Sequence, residues 1–323
     1  VSGAESQVEL LVHRMTHEAD DVLSLDLVHP DGKPLPDWAP GAHIDLHAGG
    51  QVRQYSLCGD PADTGRYRIA VLRAPDSRGG SAFVHRELRP GVTVTVGGPR
   101  NHFPPADAGT YVFIAGGIGV TPLLVHAREA AARGRNVRFW YGGRTRSSMA
   151  FTEEITALAG ATADSAVALH PKDESGRIDL RAVLAQVVGD TRIYCCGPES
   201  LVAETEALCT ELALHDRLHV ERFAGVKAEA PEEGERAFEV ECVRSGQTVT
   251  VGPDESIVDA LEDAGVYVEA SCRDGVCGTC ETRVIEGAPD HRDTLLSGEQ
   301  HAAGDVMMLC VSRCASKRLV LDI

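Results

Sequence analysis

The stretch "CRDGVCGTC" sets Cys272, Cys277 and Cys280 at C-x4-C-x2-C spacing, and Cys310 follows 30 positions later in "VMMLCVS". Three thiols so close can reach a metal centre from one loop, with a fourth supplied by the next apolar strand. The spacing fits a plant-type [2Fe–2S] site. Structural zinc is the competing chemistry, but it commonly brings two C-x2-C-like pairs, and one is present here. Gly275 and Gly278 fit a cluster, because a loop without Cβ atoms can wrap it and turn N–H groups toward sulfur. Cys314, four residues past Cys310, reads as a spectator.

Other stretches carry groups suited to flat rings and phosphates. "RQYSL" (residues 53–57) puts Arg53, Tyr55, Ser56 and Leu57 on a predicted strand. A tyrosine face can stack a planar ring and a guanidinium can pair a phosphate, although an edge-strand tyrosine would look the same. "RGGSAFVHREL" opens a helix with Arg78, Gly79, Gly80 and Ser81, whose free N–H groups suit either a phosphate or an ordinary cap. "AGGIGVTP" (residues 115–122) joins an apolar strand to a helix, where a doubly wound sheet binds its ligand; a structural turn is the alternative. It is not the G-x-G-x-x-G fingerprint. "CCGPES" ends a later strand with Cys195, Cys196, Gly197 and Pro198, which could equally be small core residues. No carboxylate occurs from 142 to 150, where Arg144 and Arg146 could meet a 2′-phosphate. Phe223 closes "HVERF", as a site residue or a terminal core aromatic.

These residues need three kinds of scaffold. Over residues 1–105, short alternating runs ("LSLDLVH", "HIDLHA", "YRIAVLR", "VTVTVGG") separated by Gly/Pro turns predict a small antiparallel barrel or sandwich. From 106 to 224, strands alternate with helical stretches, predicting a parallel doubly wound sheet. Residues 225–236 are small and acidic and read as a linker. Residues 237–323 predict a hairpin, a helix over 257–265, the cysteine loop and two closing strands, an α+β pattern.

Charge separates the third region from the others. The net charge is −17, and residues 226–323 hold nine Lys/Arg against 20 Asp/Glu. Such a surface repels nucleic acid and anionic membrane, and no apolar run approaches the ~20 residues of a membrane helix. Ten cysteines, five of them between 272 and 314, with no signal-peptide pattern, point to the reducing cytosol and to metal or redox work. The chain opens on Val1 rather than methionine, so a trimmed chain and a piece of something longer are both expected possibilities.

Together, "RQYSLCG", "SRGGS", "GPRNHF", "AGGIGVTP", "HRDT" and "CRDGVCGTC" resemble the phthalate dioxygenase reductase family, the class IA oxygenase reductases, over essentially the whole chain. The resemblance is strongest to the reductase region of self-sufficient cytochromes P450. It implies FMN, NAD(P)H and a [2Fe–2S] cluster as cofactors and a β-grasp ferredoxin domain at the C-terminal end. It implies that Tyr55 packs on the flavin ring, Arg53 pairs with the FMN phosphate and Ser56 bonds near the flavin N5. It also implies that the FMN ends at Gly79, Gly80 and Ser81, with the backbone of Ala70, Val71 and Leu72 along the ring. For the nucleotide, it implies that Gly116 and Gly117 admit the pyrophosphate while Thr121, followed by Pro122, approaches the flavin. Cys196 would lie beside the nicotinamide C4, and Phe223 would cover the flavin ring. Cys272, Cys277, Cys280 and Cys310 would ligate the cluster.

Such a chain would convert a two-electron donor into single electrons for an oxygenase, either a Rieske protein or a P450 haem domain, with monomeric, cytoplasmic behaviour expected. NADH-preferring relatives often carry an acid near Arg144 and Arg146, so the nucleotide is read as NAD(P)H, leaning to NADPH. The alternative is a redox sensor or electron carrier on the same fold that has lost turnover; the joint presence of the three flavin and nucleotide motifs argues against it.

Overall fold

In the computed structural model, residues 7–74, 79–225 and 235–323 are described, so Arg78 and most of the expected linker lie outside them. The chain divides into two compact units, Val1–Arg222 and Phe223–Ile323.

Six antiparallel strands begin the first unit: β1 (Val8–Ala19), β2 (Val22–Val28), β3 (Ala42–Ala48), β4 (Gln51–Ser56), β5 (Tyr67–Leu72) and β6 (Thr93–Asn101), in the order β4-β3-β6-β1-β2-β5. An antiparallel bridge between Leu57 and Ile69 brings the two ends of that order together and rolls the sheet into a barrel. Leu10, Val12, Leu25, Leu27, Ile44, Leu46, Val94 and Val96 fill it. β1 is absent from the sequence-based expectation. Register shifts between Val12 and Arg14 and between His17 and Ala19 interrupt its two-residue period, which is what bulges do. The short helix α1 (Gly80–Arg86) precedes β6 in the chain.

Five parallel strands follow: β7 (Thr110–Gly116), β8 (Asn136–Gly143), β9 (Ala166–Pro171), β10 (Thr191–Cys196) and β11 (Leu218–Glu221), in the order β11-β10-β7-β8-β9. They alternate with α2 (Val120–Ala132), α3 (Thr152–Thr156), α4 (Lys172–Ser175), α5 (Leu180–Leu184) and α6 (Glu199–Glu211). β7 is buried without a break from Tyr111 to Gly116 because both its faces are covered. Tyr111, Phe113 and Ala115 share a core with α2, whereas Val112 and Ile114 share one with α5 and α6. The core on the α2 side also takes in Val22, Cys58, Ala70 and Phe103 from the barrel half. The connection from β6 to β7, where residues 105 and 106 meet, is held by Tyr194. Its hydroxyl accepts from the Ala106 N–H at 2.6 Å and donates to the Pro104 carbonyl at 3.2 Å.

The second unit contains β12 (Phe238–Cys242), β13 (Gln247–Val251), β14 (Glu281–Glu286), β15 (Pro289–Asp290), β16 (Val306–Met308), β17 (Arg313–Cys314) and β18 (Arg318–Leu321). Five of them form a mixed sheet, β13-β12-β18-β14-β16, in which β12 and β18 run parallel; β15 pairs with β17. The helix α7 (Ile257–Asp263) starts at a reciprocal cap, with the Ser256 hydroxyl accepting from the Asp259 N–H at 3.1 Å. It buries Ile257, Val258 and Leu261 in one core with Val240, Met308 and Leu319, each large aliphatic contributing about 1.5–3 kcal/mol. A helix α8 (Gly298–Ala303) precedes β16. This is the expected β-grasp arrangement, with one correction: Cys310 lies in a turn two residues past β16, not on a strand. The Leu309 N–H turns to the Cys280 carbonyl and the Ser312 N–H back to that of Met308, so the chain cannot stay extended.

Candidate functional site

Cys272, Cys277, Cys280 and Cys310 converge and are all buried. Cys272 lies within hydrogen-bond reach of both Cys277 and Cys310, and Cys280 of Cys310, and no disulfide joins any of the ten cysteines. The loop carrying the first three turns repeatedly into left-handed backbone, with φ of 55° at Arg273, 71° at Gly275 and 75° at Gly278. That coiling aims N–H groups at sulfur. Asp274 donates to Cys272 Sγ at 3.3 Å, and the N–H groups of Val276, Thr279 and Cys310 approach the sulfurs of Cys272, Cys277 and Cys280 respectively. Hydrogen bonds from Cys277 and Cys310 pull the Cys272 thiol well down, and the bond from Cys310 pulls down Cys280. The same bonds raise Cys277 and Cys310, so the four sulfurs are close enough to share protons among themselves, and all four must give them up to bind iron as thiolates. Arg273 anchors the loop on α7, bonding Asp259 at 2.5 Å and Glu262 at 2.6 Å.

A second group forms on the barrel around β4. Arg53 and Tyr55, two residues apart, share one face of the strand and Ser56 takes the other. The Arg53 stem crosses the start of α1 so closely that a Cβ on Gly80 would stand 2.9 Å from Arg53 Cγ. Its guanidinium bonds the neutral Val52 carbonyl at 2.7 Å and Gln51 Oε1 at 2.9 Å, with no carboxylate partner among the described residues. Gly79, with φ 116°, turns the chain into α1, and the Ser81 hydroxyl accepts from the Ala74 N–H at 3.3 Å. Burial pushes the Tyr55 phenol up to about 12, opposed by Arg53, so its ring stays neutral. Ala70, Val71 and Leu72 pair with β2 on one side; on the other, beyond the Leu57–Ile69 bridge, His85 Nε2 meets the Val71 carbonyl at 2.9 Å.

The third group lies at the carboxyl edge of the parallel sheet, where two glycine loops interlock. A Cβ on Gly119 would stand 2.4 Å from the Cys196 carbonyl, one on Gly116 2.6 Å from Pro198 Cδ, and one on Gly197 2.9 Å from Gly116. Gly117, with φ 54°, instead borders open space. The paired glycines thus divide the work: Gly116 lets the loops approach and Gly117 leaves a gap. Thr121 Oγ1 donates to the Ile118 carbonyl at 3.0 Å, pinning the first turn of α2, and Pro122 is buried there. Cys195 faces Thr205 on α6, at 3.6 Å, whereas Cys196 belongs to the opposite core. Phe223, 44% exposed, lies past the end of β11 as the first residue of the second unit.

Residues 240–315 match the family described as 2Fe-2S iron-sulfur cluster binding domain, and residues 113–207 match oxidoreductase NAD-binding domain. The phenoxybenzoate dioxygenase subunit beta of Ectopseudomonas oleovorans is 41% identical over 98% of this chain and 97% of its own length. Among solved structures, phthalate dioxygenase reductase is 34% identical with a TM-score of 0.70, covering 98% of both chains. The chain belongs to the phthalate dioxygenase reductase family. An intact type IV self-sufficient cytochrome P450 monooxygenase also matches, at 40% identity and TM-score 0.90; this chain covers 41% of that longer one. As a phthalate dioxygenase reductase homologue, the protein is an NAD-dependent oxidoreductase with FMN and a [2Fe–2S] cluster as cofactors, and it passes electrons from pyridine nucleotide through flavin to iron–sulfur. No helix among the described residues is long and apolar enough to cross a membrane.

The residues present fit those groups. Four buried thiols with N–H donors aimed at sulfur suit a cluster, and a guanidinium that bonds only neutral groups among the described residues, set over a glycine-opened helix, suits a flavin phosphate. Two residues of this phthalate dioxygenase reductase homologue escaped the sequence reading. Glu221 stands opposite Cys196 in the parallel register of β10 and β11 and hydrogen-bonds the Ser56 hydroxyl, tying together residues 165 positions apart. Burial pushes its carboxyl up to about 8, so it is protonated at neutral pH, and its Oε2 has no hydrogen-bond partner among the described residues. Burial, then the nearby Glu221, drives the Cys196 thiol well up. The available signal was an acid at the carboxyl end of the last strand of a doubly wound sheet.

Glu174 is the other. It grips Arg146 through two bonds, Nη2–Oε2 at 2.7 Å and Nε–Oε1 at 3.2 Å, and the pairing raises Arg146 and lowers Glu174. The register of β8 and β9 sets Gly143 opposite Pro171, which puts α4 beside the Arg144–Arg146 loop. The carboxylate missing from residues 142–150 is thus supplied from 28 positions away. Arg146 is not the uncommitted cation that the NADPH leaning assumed, whereas Arg144 is exposed nearby.

Proposed function

We propose that the chain delivers electrons from NAD(P)H to a terminal oxygenase, either a P450 haem domain or a Rieske oxygenase, through sites built from the residues described above. When bound, the nucleotide supplies a hydride, the flavin divides a two-electron charge into single electrons, and the cluster carries them one at a time. The convergence of four buried thiols with N–H donors directed at them carries this reading.

In this reading Cys272, Cys277, Cys280 and Cys310 hold the cluster. Arg53 takes the FMN phosphate with Gly79, Gly80, Ser81 and Arg78, and Tyr55, Ser56, Leu57 and the backbone of Ala70, Val71 and Leu72 hold the ring. Gly116, Gly117, Thr121 and Pro122, together with Cys196, Gly197 and Pro198, receive the nucleotide; Arg144, with Arg146 once released, reads its 2′ end, and Phe223 shields the flavin. Burial keeps a proton at the Glu221 carboxyl against the opposing pull of its Ser56 hydrogen bond, and the buried Cys196 stays a neutral thiol at that edge. The acidic ferredoxin region approaches a basic partner rather than nucleic acid or an anionic membrane. The chain works as a monomer in a reducing, cytoplasmic setting, a reading supported by cysteines that are clustered for a metal centre or buried singly rather than joined in disulfides.

An anaerobic visible spectrum recorded during titration with NADH, then NADPH, tests this. Bleaching of both flavin and iron–sulfur bands is expected. An intact flavin and cluster that neither nucleotide bleaches would exclude the reductase in favour of a sensor or carrier.

A further inference from the structure

The "HRDT" stretch leaves a second polar cluster in the ferredoxin unit that the electron-transfer reading does not use. Asp293 is fully buried, with its Oδ2 accepting from the Leu295 and Leu296 N–H groups at 3.1 and 2.8 Å. Its other oxygen faces two imidazoles: Oδ1 lies 3.4 Å from His301 Nε2 and 3.8 Å from His291 Nδ1. The two rings stack 4.5 Å apart, 17° from parallel. A ligand atom from each of the three residues can be chosen so that all lie within 4.8 Å of one another. Among the described residues, Asp293 Oδ1 and both nitrogens of His291, whose side chain is 8% exposed, have no hydrogen-bond partner.

Hydrogen bonding within the trio does not explain this arrangement. A His301–Asp293 bond leaves buried acceptors and donors unmet, each costing about 1–3 kcal/mol. One cation would satisfy Oδ1 and a nitrogen from each ring at once. Tetrahedral zinc, with bonds of about 2.0–2.2 Å, separates its N and O ligands by roughly 3.3–3.5 Å; the Asp293–His301 spacing of 3.4 Å matches this, and the His291 ring, 3.8 Å from Asp293 Oδ1, would draw inward on binding. The neighbouring Arg292 does not oppose it, since its guanidinium is taken by Glu235 and Asp290. His301, 33% exposed, leaves an entry side and room for a water as fourth ligand.

We infer that His291, Asp293 and His301 form a binding site for one divalent cation of the zinc class, separate from the four cysteines. Such a site joins α8, which carries His301, to the segment behind the cysteine loop, where the Thr294 N–H donates to the Gly275 carbonyl at 3.3 Å.

The test uses the full-length holoprotein, dialysed against micromolar Zn²⁺, with zinc and iron both measured by mass spectrometry. One zinc per chain is expected beside undiminished cluster iron, with imidazole rather than sulfur scattering in zinc X-ray absorption. His301→Gln should weaken zinc binding at least about 100-fold while iron content and visible spectrum stay unchanged. Absence of bound zinc, zinc held by sulfur, or zinc retained by His301→Gln would each overturn the site. Should that variant lose its iron, the wild-type holoprotein still decides: zinc must protect His301 from diethyl pyrocarbonate, and unchanged labelling counts against the site.

Discussion

At the scale of single residues, charge pairing makes two predictions. Replacing Glu174 with Gln frees Arg146 for a nucleotide 2′-phosphate. The ratio of kcat/KM for NADPH to that for NADH should rise by about two- to fivefold, the range of an exposed ion pair. An unchanged ratio in steady-state kinetics would remove Arg146 from nucleotide choice. Glu221 governs a pH dependence. Its carboxyl, raised from 4.5 to about 8, favours the folded state fully below pH 4.5 and loses that advantage as pH climbs toward 8. Urea unfolding at pH 5 and pH 8 should show wild type losing stability relative to Glu221→Gln by an order of a few kcal/mol. Ser56 and Cys196 were legible because short motifs surround them; Glu221 and Glu174 were not, because each acquires its role through strand register with a partner remote in the chain.

Among elements, the interlocking of the loops after β7 and β10 is the most exacting contact. Gly119 has an ordinary helical φ of −61°, so Gly119→Ala suffers only the 2.4 Å approach to the Cys196 carbonyl. It should cost about 1–3 kcal/mol in denaturant unfolding and weaken nucleotide binding in fluorescence titration. Gly117→Ala meets open space and only a left-handed backbone, so its cost should stay near about 1 kcal/mol. β7 was readable as a continuous apolar run, since helices cover both its faces. β1 was not, because two register shifts break its alternation, and Cys310 was placed on a strand because apolar residues surround a turn.

For the whole molecule, the excess of acid after residue 225 leads to a salt test. Electron delivery to a basic oxygenase surface should slow as ionic strength rises from about 0.01 to 1 M, while reduction of the protein's own cluster by nucleotide holds steady in stopped-flow traces. A salt-independent delivery rate would remove electrostatic steering. The change from barrel to alternating strands near residue 106 was visible as a change of rhythm. The shared core of Val22, Cys58, Ala70 and Phe103 with α2 was not, since nothing local marks a side chain as facing another layer.

The ferredoxin sheet has an assembly order built into it. β18, later in sequence than every cysteine ligand, lies between β12 and β14. A nascent chain that has already exposed Cys272, Cys277, Cys280 and Cys310 still has two half-sheets with a gap between them. Iron–sulfur loading must therefore await synthesis through Leu321, and a ribosome stalled before Arg318 would present four thiols with no frame to close them. Pulse-labelled chains cut short at residue 317 should take up no cluster, although every ligand is present.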